Sequence, residues 1–271
     1  MFDRFDNRVI LRGTLTAQTA LRIGAGRANN VTGTDLPIIR DTLGRPYIPG
    51  SSFKGAWRAL VESLVRSVNA SRKAACNPVG KKTEWCLEST EAFTDDKDKD
   101  DKIAAETCLV CCVFGSPWLA SKISIRDLLV DEENWFGQFE VRNGVAIDRD
   151  TETAADGKLY DFEVVPADTR FNCEIVIENA AGWELGLAML GLRSFDPKHG
   201  GGALGGGRSR GLGVVTIEWN ARTQIDKGNF FDFLIDGTGA TEITDEQVTT
   251  WIKAAKERII QLPAATEEAN A

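Results

Sequence analysis

Four cysteines constrain this chain more than any other feature. Cys76, Cys86, Cys108 and Cys111 follow a C-x9-C-x21-C-x2-C spacing, with Cys112 directly after the last. The stretch between them is polar: residues 84–106 hold nine acids and three lysines, a net of −6, and few apolar side chains. Such a segment cannot bury enough surface to fold on its own. A C-x-x-C pair can turn two thiolates onto one tetrahedral ion, and two more cysteines complete a closed structural zinc site. Metal binding would then supply the missing folding energy. Buried thiols with a redox-inert C-x-x-C are the plain alternative, and the spacing leaves both open, as it leaves open whether Cys112 replaces one ligand. Cys173 sits in an alternating run and reads as a core residue.

The pattern on either side of this segment sets the fold class. Val9, Leu11 and Leu15 fall on one face and Arg8, Ile10, Arg12 and Thr14 on the other, as in a half-buried strand. A glycine-rich bend follows (Gly24, Gly26, Gly33), then breakers at Pro46, Pro49 and Gly50. From an N-cap at Ser51 or Ser52, the residues Phe53, Trp57, Leu60, Val61, Leu64, Val65 and Val68 recur at helical spacing. Strand patterns return at 123–128 and 171–177, a second helix at 183–192, and a last strand at Val214–Trp219. Residues 141–165 read as a protruding hairpin. A terminal helix opens at a Thr244…Gln247 capping box. This order predicts an α+β, split-βαβ ferredoxin-like domain.

Net charge is −8, which at first sight excludes a nucleic-acid binder. Its distribution says otherwise. Residues 1–72 hold eleven basic and five acidic side chains, a net of +6, and the other 199 residues carry −14. His199 is the only histidine, which excludes paired-imidazole catalysis within the chain. No apolar run reaches the roughly 18–20 residues of a membrane span. The charged start of the sequence lacks a secretory core, so a cytoplasmic protein with reduced cysteines is expected.

Two further motifs fit anions. The start of the first helix offers Ser51, Ser52 and free N–H groups, with Lys54 and Arg58 one turn in; an ordinary capped helix explains these residues equally well. The loop Gly205-Gly206-Gly207-Arg208-Ser209-Arg210-Gly211-Leu212-Gly213 could cradle a phosphodiester with backbone N–H groups and two arginines. It is not a Walker loop, because no G-K-[ST] follows. Asp35, isolated in a glycine-rich loop, could orient a hydroxyl, bind a divalent ion or cap a turn.

Taken together these segments resemble the RAMP (repeat-associated mysterious protein) superfamily over residues 8–220. The matching stretches are Leu21-Arg22-Ile23-Gly24-Ala25-Gly26, Gly33-Thr34-Asp35-Leu36-Pro37, and Arg45-Pro46-Tyr47-Ile48-Pro49-Gly50-Ser51-Ser52-Phe53-Lys54-Gly55. Cys108 to Gly115, Ile125-Arg126-Asp127 and the closing glycine loop complete the match. More narrowly, the chain resembles a zinc-containing variant of the backbone subunit of type III CRISPR interference complexes.

That resemblance implies an RNA-recognition-motif-like palm within one domain at 1–225, carrying a cysteine-containing insertion at 72–118 and a β-hairpin thumb at 141–165. A helical extension at 226–262 and a tail at 263–271 follow. It implies head-to-tail assembly on a CRISPR guide RNA, with target RNA, other RAMP subunits and the large polymerase-like subunit as partners and no membrane. Asp35, by its place in Gly-x-Asp-x-Pro, would support target-RNA cleavage with Mg2+ or Mn2+. Guide contacts would fall on Arg22, Arg27, Ser51, Ser52, Lys54, Arg58, Arg142, Arg149, Arg208, Ser209 and Arg210, and Zn2+ on Cys76, Cys86, Cys108 and Cys111. A catalytically inactive scaffold copy would share everything but the role of Asp35. A zinc-stabilised interaction domain without RNA function is the reading from another class.

Overall fold

A computed structural model describes residues 4–27, 33–90, 99–154 and 159–263. Part of the acidic insertion (91–98), part of the hairpin (155–158) and most of the tail (264–271) lie outside the described residues. The chain runs β1 (Asn7–Ala17), β2 (Tyr47–Ile48), α1 (Gly50–Val68), α2 (Lys99–Glu106), α3 (Leu109–Phe114), β3 (Ile123–Ile125), β4 (Leu128–Leu129), β5 (Glu140–Gly144) and β6 (Tyr160–Val164). It continues through β7 (Arg170–Glu178), α4 (Gly182–Arg193), β8 (Gly202–Ala203), β9 (Val214–Asp226), α5 (Phe230–Asp236), β10 (Thr241–Glu242) and α6 (Asp245–Gln261).

β1 is the centre of the main sheet. Val9, Leu11 and Leu15 point into the core, while Arg8 and Arg12 face away and pair with Glu178 and Glu174 on β7. The sheet order is β10-β9-β1-β7-β3, with β8 on β9, and every pair is antiparallel. Counted in chain order, the four central strands lie fourth-first-third-second. That is the split-βαβ arrangement the sequence predicts, with α1 leading from the first to the second and α4 from the third to the fourth. The two helices pack together: Trp57 Nε1 donates to the Ala188 carbonyl at 3.2 Å, beside Gly191. β5 and β6 form their own two-stranded sheet, apart from the main one.

The C-terminal extension is built onto this core. β10 adds to the sheet edge at β9, and Val248, Ala255 and Ile259 of α6 join the central apolar cluster. Gly186 makes the α4–α6 approach possible, since a Cβ there would stand 1.9 Å from the Trp251 carbonyl oxygen. The Thr244 cap is present, its hydroxyl accepting from the Gln247 N–H at 3.2 Å. Among the described residues, no helix is long and apolar enough to cross a membrane.

The start of α1 differs from expectation. The helix begins at Gly50 with Pro49 as its N-cap residue, so Ser51 and Ser52 lie exposed inside the first turn and make no side-chain cap. Pro49 has no N–H to satisfy and holds a φ of −55°, which suits a helix start. The Gly50 N–H donates to Asp127 Oδ1 at 2.9 Å. A carboxylate of the protein itself therefore already sits at the positive end of α1.

A buried ion pair ties the turn before β3 to α4. Lys122 and Glu184 side chains are 8% and 6% exposed, and the Lys122 Nζ donates to Glu184 Oε2. Glu184 also accepts from the Ala181 N–H at the start of α4. Lys122→Met leaves that carboxylate buried and uncompensated, at a cost of about 3–5 kcal/mol. Thermal unfolding should show a midpoint lower by roughly 10 °C, and adding Glu184→Gln should recover most of it.

Candidate nucleic-acid interface and cysteine centre

Strand β6 organises the candidate site by simple alternation. Its residues Tyr160 and Phe162 face one way and Asp161 and Glu163 the other. On the acidic side lies the loop of Asp35. The Asp35 N–H donates to Asp161 Oδ1 at 2.6 Å, and the Asp161 N–H donates to Asp35 Oδ2 at 3.2 Å. Glu163 accepts from the Thr34 hydroxyl (3.3 Å), the Ile38 N–H (3.2 Å) and the Arg40 guanidinium (2.7 Å), and its own N–H donates to the Leu36 carbonyl. The loop is thus laced to the hairpin, with Asp35 exposed and its Oδ1 unused by these bonds.

On the other side of β6 lies a cavity of about 300 Å³. Arg22, Arg142 and Arg210 line it together with Tyr160, Phe162 and Ser209, and no acid is among its lining residues. Arg142 is paired with Glu140 at 2.9 Å, Arg210 Nη1 donates to the Tyr160 hydroxyl at 3.0 Å, and Arg22 lies over the Phe162 ring at 5.5 Å. Arg22 Nε is buried and has no hydrogen-bond partner among the described residues. A buried unsatisfied donor costs about 1–3 kcal/mol.

The glycine loop builds the far wall. Gly205, Gly207, Gly211 and Gly213 all have φ between 76° and 80°, so L side chains would strain the turn. These glycines flank one helical turn, Arg208–Arg210, presenting both arginines and Ser209 to solvent. The Gly206 N–H donates to the Arg22 carbonyl and the Gly213 N–H to that of Ala20, which fixes the loop against the 20–22 bend. Leu212 packs with Ala20, Val164 and Phe162, joining loop, bend and hairpin in one small apolar cluster.

The predicted contacts therefore fall into groups. Arg22, Arg142, Ser209 and Arg210 come together in the cavity. Arg27, Arg149 and Arg208 are exposed outside its lining. Lys54 and Arg58 are directed inward instead. Lys54 Nζ donates to Ser121 Oγ (2.6 Å) and the Ile123 carbonyl (2.8 Å), and burial, with the Arg58 charge nearby, lowers its pKa. Tyr160, Asp161, Phe162 and Glu163 were not among the predicted site residues. Their aromatic–acid alternation was the signal that could have found them.

The four predicted cysteines meet. Cys76, Cys86, Cys108 and Cys111 are all buried, and their sulfur atoms lie within 4.8 Å of one another. Cys108 caps α3, accepting from the Cys111 N–H at 3.4 Å. Hydrogen bonds from Cys108 and then Cys111 hold the Cys76 thiol down to about 7 and also lower Cys86, while Cys108, Cys76 and Cys86 push Cys111 up. Such a crowd of thiols can ionise together only around a cation, and the set could hold one metal ion. Cys112 stands apart, its Sγ directed at the Ala104 and Thr107 carbonyls. Burial pushes Cys112 and Cys173 up to about 12. Because the thiolate is the reactive form, both should stay unlabelled by an alkylating reagent at pH 8 in the native protein, which peptide mapping by mass spectrometry can check.

Comparison with known proteins follows the same residues. The model of the RAMP superfamily matches residues 14–216. The chain is 28% identical over 242 residues to the CRISPR system Cms endoribonuclease Csm3 of Methanothermobacter thermautotrophicus, covering 79% of this chain and 85% of that protein. It is 30% identical over 220 residues to the protein of the same name from Methanocaldococcus jannaschii, covering 77% of each. With that of Enterococcus italicus the identity is 24% over 212 residues, 75% of this chain and 89% of the relative. A match that takes in the Asp35 loop, the cysteine centre and the arginine turn, on a sheet of split-βαβ order, makes this chain a member of the RAMP superfamily.

Proposed function

We propose that this chain is a backbone subunit of a type III CRISPR effector complex, which holds guide RNA and cleaves complementary target RNA at Asp35. The arginine cavity carries the reading. Three guanidiniums converge beside two aromatic rings and a glycine turn, as a phosphodiester and its neighbouring base require. The hairpin of β5 and β6 is the thumb, and its base places the guide-facing cavity and the Asp35 loop on opposite sides of one strand. The relatives' name, endoribonuclease, supports cleavage as the activity.

RNA carries its own nucleophile in the 2′-hydroxyl, so the protein's task is to unstack one nucleotide and align it in line. Asp35 and Asp161 each keep a carboxylate oxygen free of the bonds between them, and with them the loop could hold Mg2+ or Mn2+, which would stabilise charge on the phosphate. Zinc is the ion we assign to the cysteines. Tetrahedral Zn–S bonds of about 2.3 Å place sulfurs about 3.8 Å apart, and Cys76 and Cys111 stand at 3.6 Å. Partners in this reading are guide and target RNA, further RAMP subunits and the large polymerase-like subunit, in the cytoplasm.

The test is to purify the protein with its partners, sequence the co-purifying RNA, and compare variants. Arg22→Ala and Arg210→Ala should each weaken guide retention about tenfold and reduce the salt dependence of binding by about one unit of slope. Unaltered retention in both variants would remove the cavity from the interface.

A further inference from the structure

Each of the three guanidinium nitrogens of Arg58 donates inside the fold, and one of these bonds goes to a sulfur. Its Nε donates to Glu62 Oε1 (2.8 Å), Nη1 to the Gly115 carbonyl (3.0 Å) and Nη2 to Cys111 Sγ (3.2 Å). Glu62, buried on α1, also pairs with Arg66, whose Nη1 donates to the Cys76 carbonyl at 2.9 Å. One face of α1 therefore presents an Arg58–Glu62–Arg66 row to two of the four cysteines. Only Arg58 touches a thiol.

A second observation concerns access. A cleft of about 150 Å³ reaches the cysteines from outside, lined by Arg58, Cys76, Cys86 and Cys111 and walled by Trp85 and Trp118. Four thiolates around a dication leave two negative charges unbalanced. In a buried site with an open cleft, that charge makes the sulfurs targets for chelators, acids and electrophiles. A guanidinium at 3.2 Å from Cys111 Sγ both offsets the charge and occupies a sulfur lone pair.

We infer that Arg58 is the positioning residue of the cysteine metal centre, a charge-bearing cap on Cys111 that holds the ion against loss through the cleft. This rests on the metal reading given above. It also gives the helix that the Pro-Gly-Ser-Ser motif opens a direct grip on the insertion, through the very side chain that the sequence suggested for RNA.

The full chain loaded with Co2+ in place of its native ion reports on the sulfurs directly, through the sulfur-to-metal charge-transfer absorption. Arg58→Met should move that band to longer wavelength, because a thiolate without its hydrogen bond donates electrons more readily, and should speed metal loss to a chelator by about tenfold or more. Arg58→Lys, which keeps a cation and a donor, should bring both values back toward those of the unaltered protein. Arg66→Met removes a contact to a carbonyl rather than to a thiol, and should leave the band where it is. A band that stays put in Arg58→Met, or that Arg66→Met moves equally, overturns the proposal. If Arg58→Met does not fold, Arg58→Gln against Arg66→Gln carries the same comparison, since only the first takes the positive charge away from a thiol and should shift the band. Absence of any metal from the purified, unaltered protein overturns the metal centre itself, and is seen before any variant is made.

Discussion

Asp35→Asn should reduce target-RNA cleavage by on the order of 10²–10⁴-fold while leaving guide RNA bound. Asparagine preserves size and an oxygen that can accept from the Asp161 N–H, and the Asp35 N–H still reaches Asp161. Thr34, Leu36, Ile38 and Arg40 remain held by Glu163, so the loop keeps its course. What disappears is one negative charge at an exposed position beside a second carboxylate. Single-turnover cleavage of a labelled complementary RNA measures the loss, and a retention assay on the same complex measures the guide. Cleavage at the unaltered rate would make this chain a scaffold copy, with the chemistry elsewhere in the complex.

Cys111→Ser should be strongly destabilising. In the metal reading proposed above it removes one of four ligands and, with it, binding energy that in isolated zinc modules reaches about 10–16 kcal/mol. The effect cannot stay local. Cys111 lies in α3 among Leu109, Val110, Val113 and Phe114, all buried, and the Phe114 ring meets Trp57 edge-on at 5.1 Å. Loss of the ion therefore loosens a helix that packs on α1 at the centre of the domain. Metal analysis should fall from about one ion per chain to none, limited proteolysis should cut between Lys73 and Ser121, and the melting midpoint should drop by well over 10 °C. Cys112→Ser, outside the sulfur cluster, should retain the ion. A Cys111→Ser protein with full metal content and an intact segment would show that the thiols are merely buried neighbours.

The sheet was legible because β1 and β7 alternate cleanly and α1 keeps one apolar stripe, so local pattern and tertiary burial agree. The four cysteines could be read from spacing, since only Cys112 had to be set aside. The start of α1 could not. Serine favours caps in isolation, but the cap here is decided by Asp127, whose carboxylate arrives from 77 residues away. The inward course of Lys54 and Arg58 was hidden for a similar reason. A basic residue near a helix start reads as an anion ligand, and nothing local reveals that Ser121 and Ile123 will accept hydrogen bonds from Lys54, or Gly115 and Cys111 from Arg58. The acidic pair Asp161 and Glu163 was hidden by its distance from Asp35 along the chain, though its alternation with Tyr160 and Phe162 was in plain view.

The position of β1 has a consequence for synthesis on the ribosome. Its partners are β7 at Arg170–Glu178 and β9 at Val214–Asp226, so the first strand made is among the last to find its neighbours. At roughly 5–20 residues per second, β1 waits on the order of ten seconds or more with both edges open. The four cysteines span residues 76–111, so the metal centre proposed for them could close well within that interval. The nascent chain should therefore mature from the middle outward, with the metal-bound segment and α1 forming a seed onto which the earliest and latest strands are later folded together.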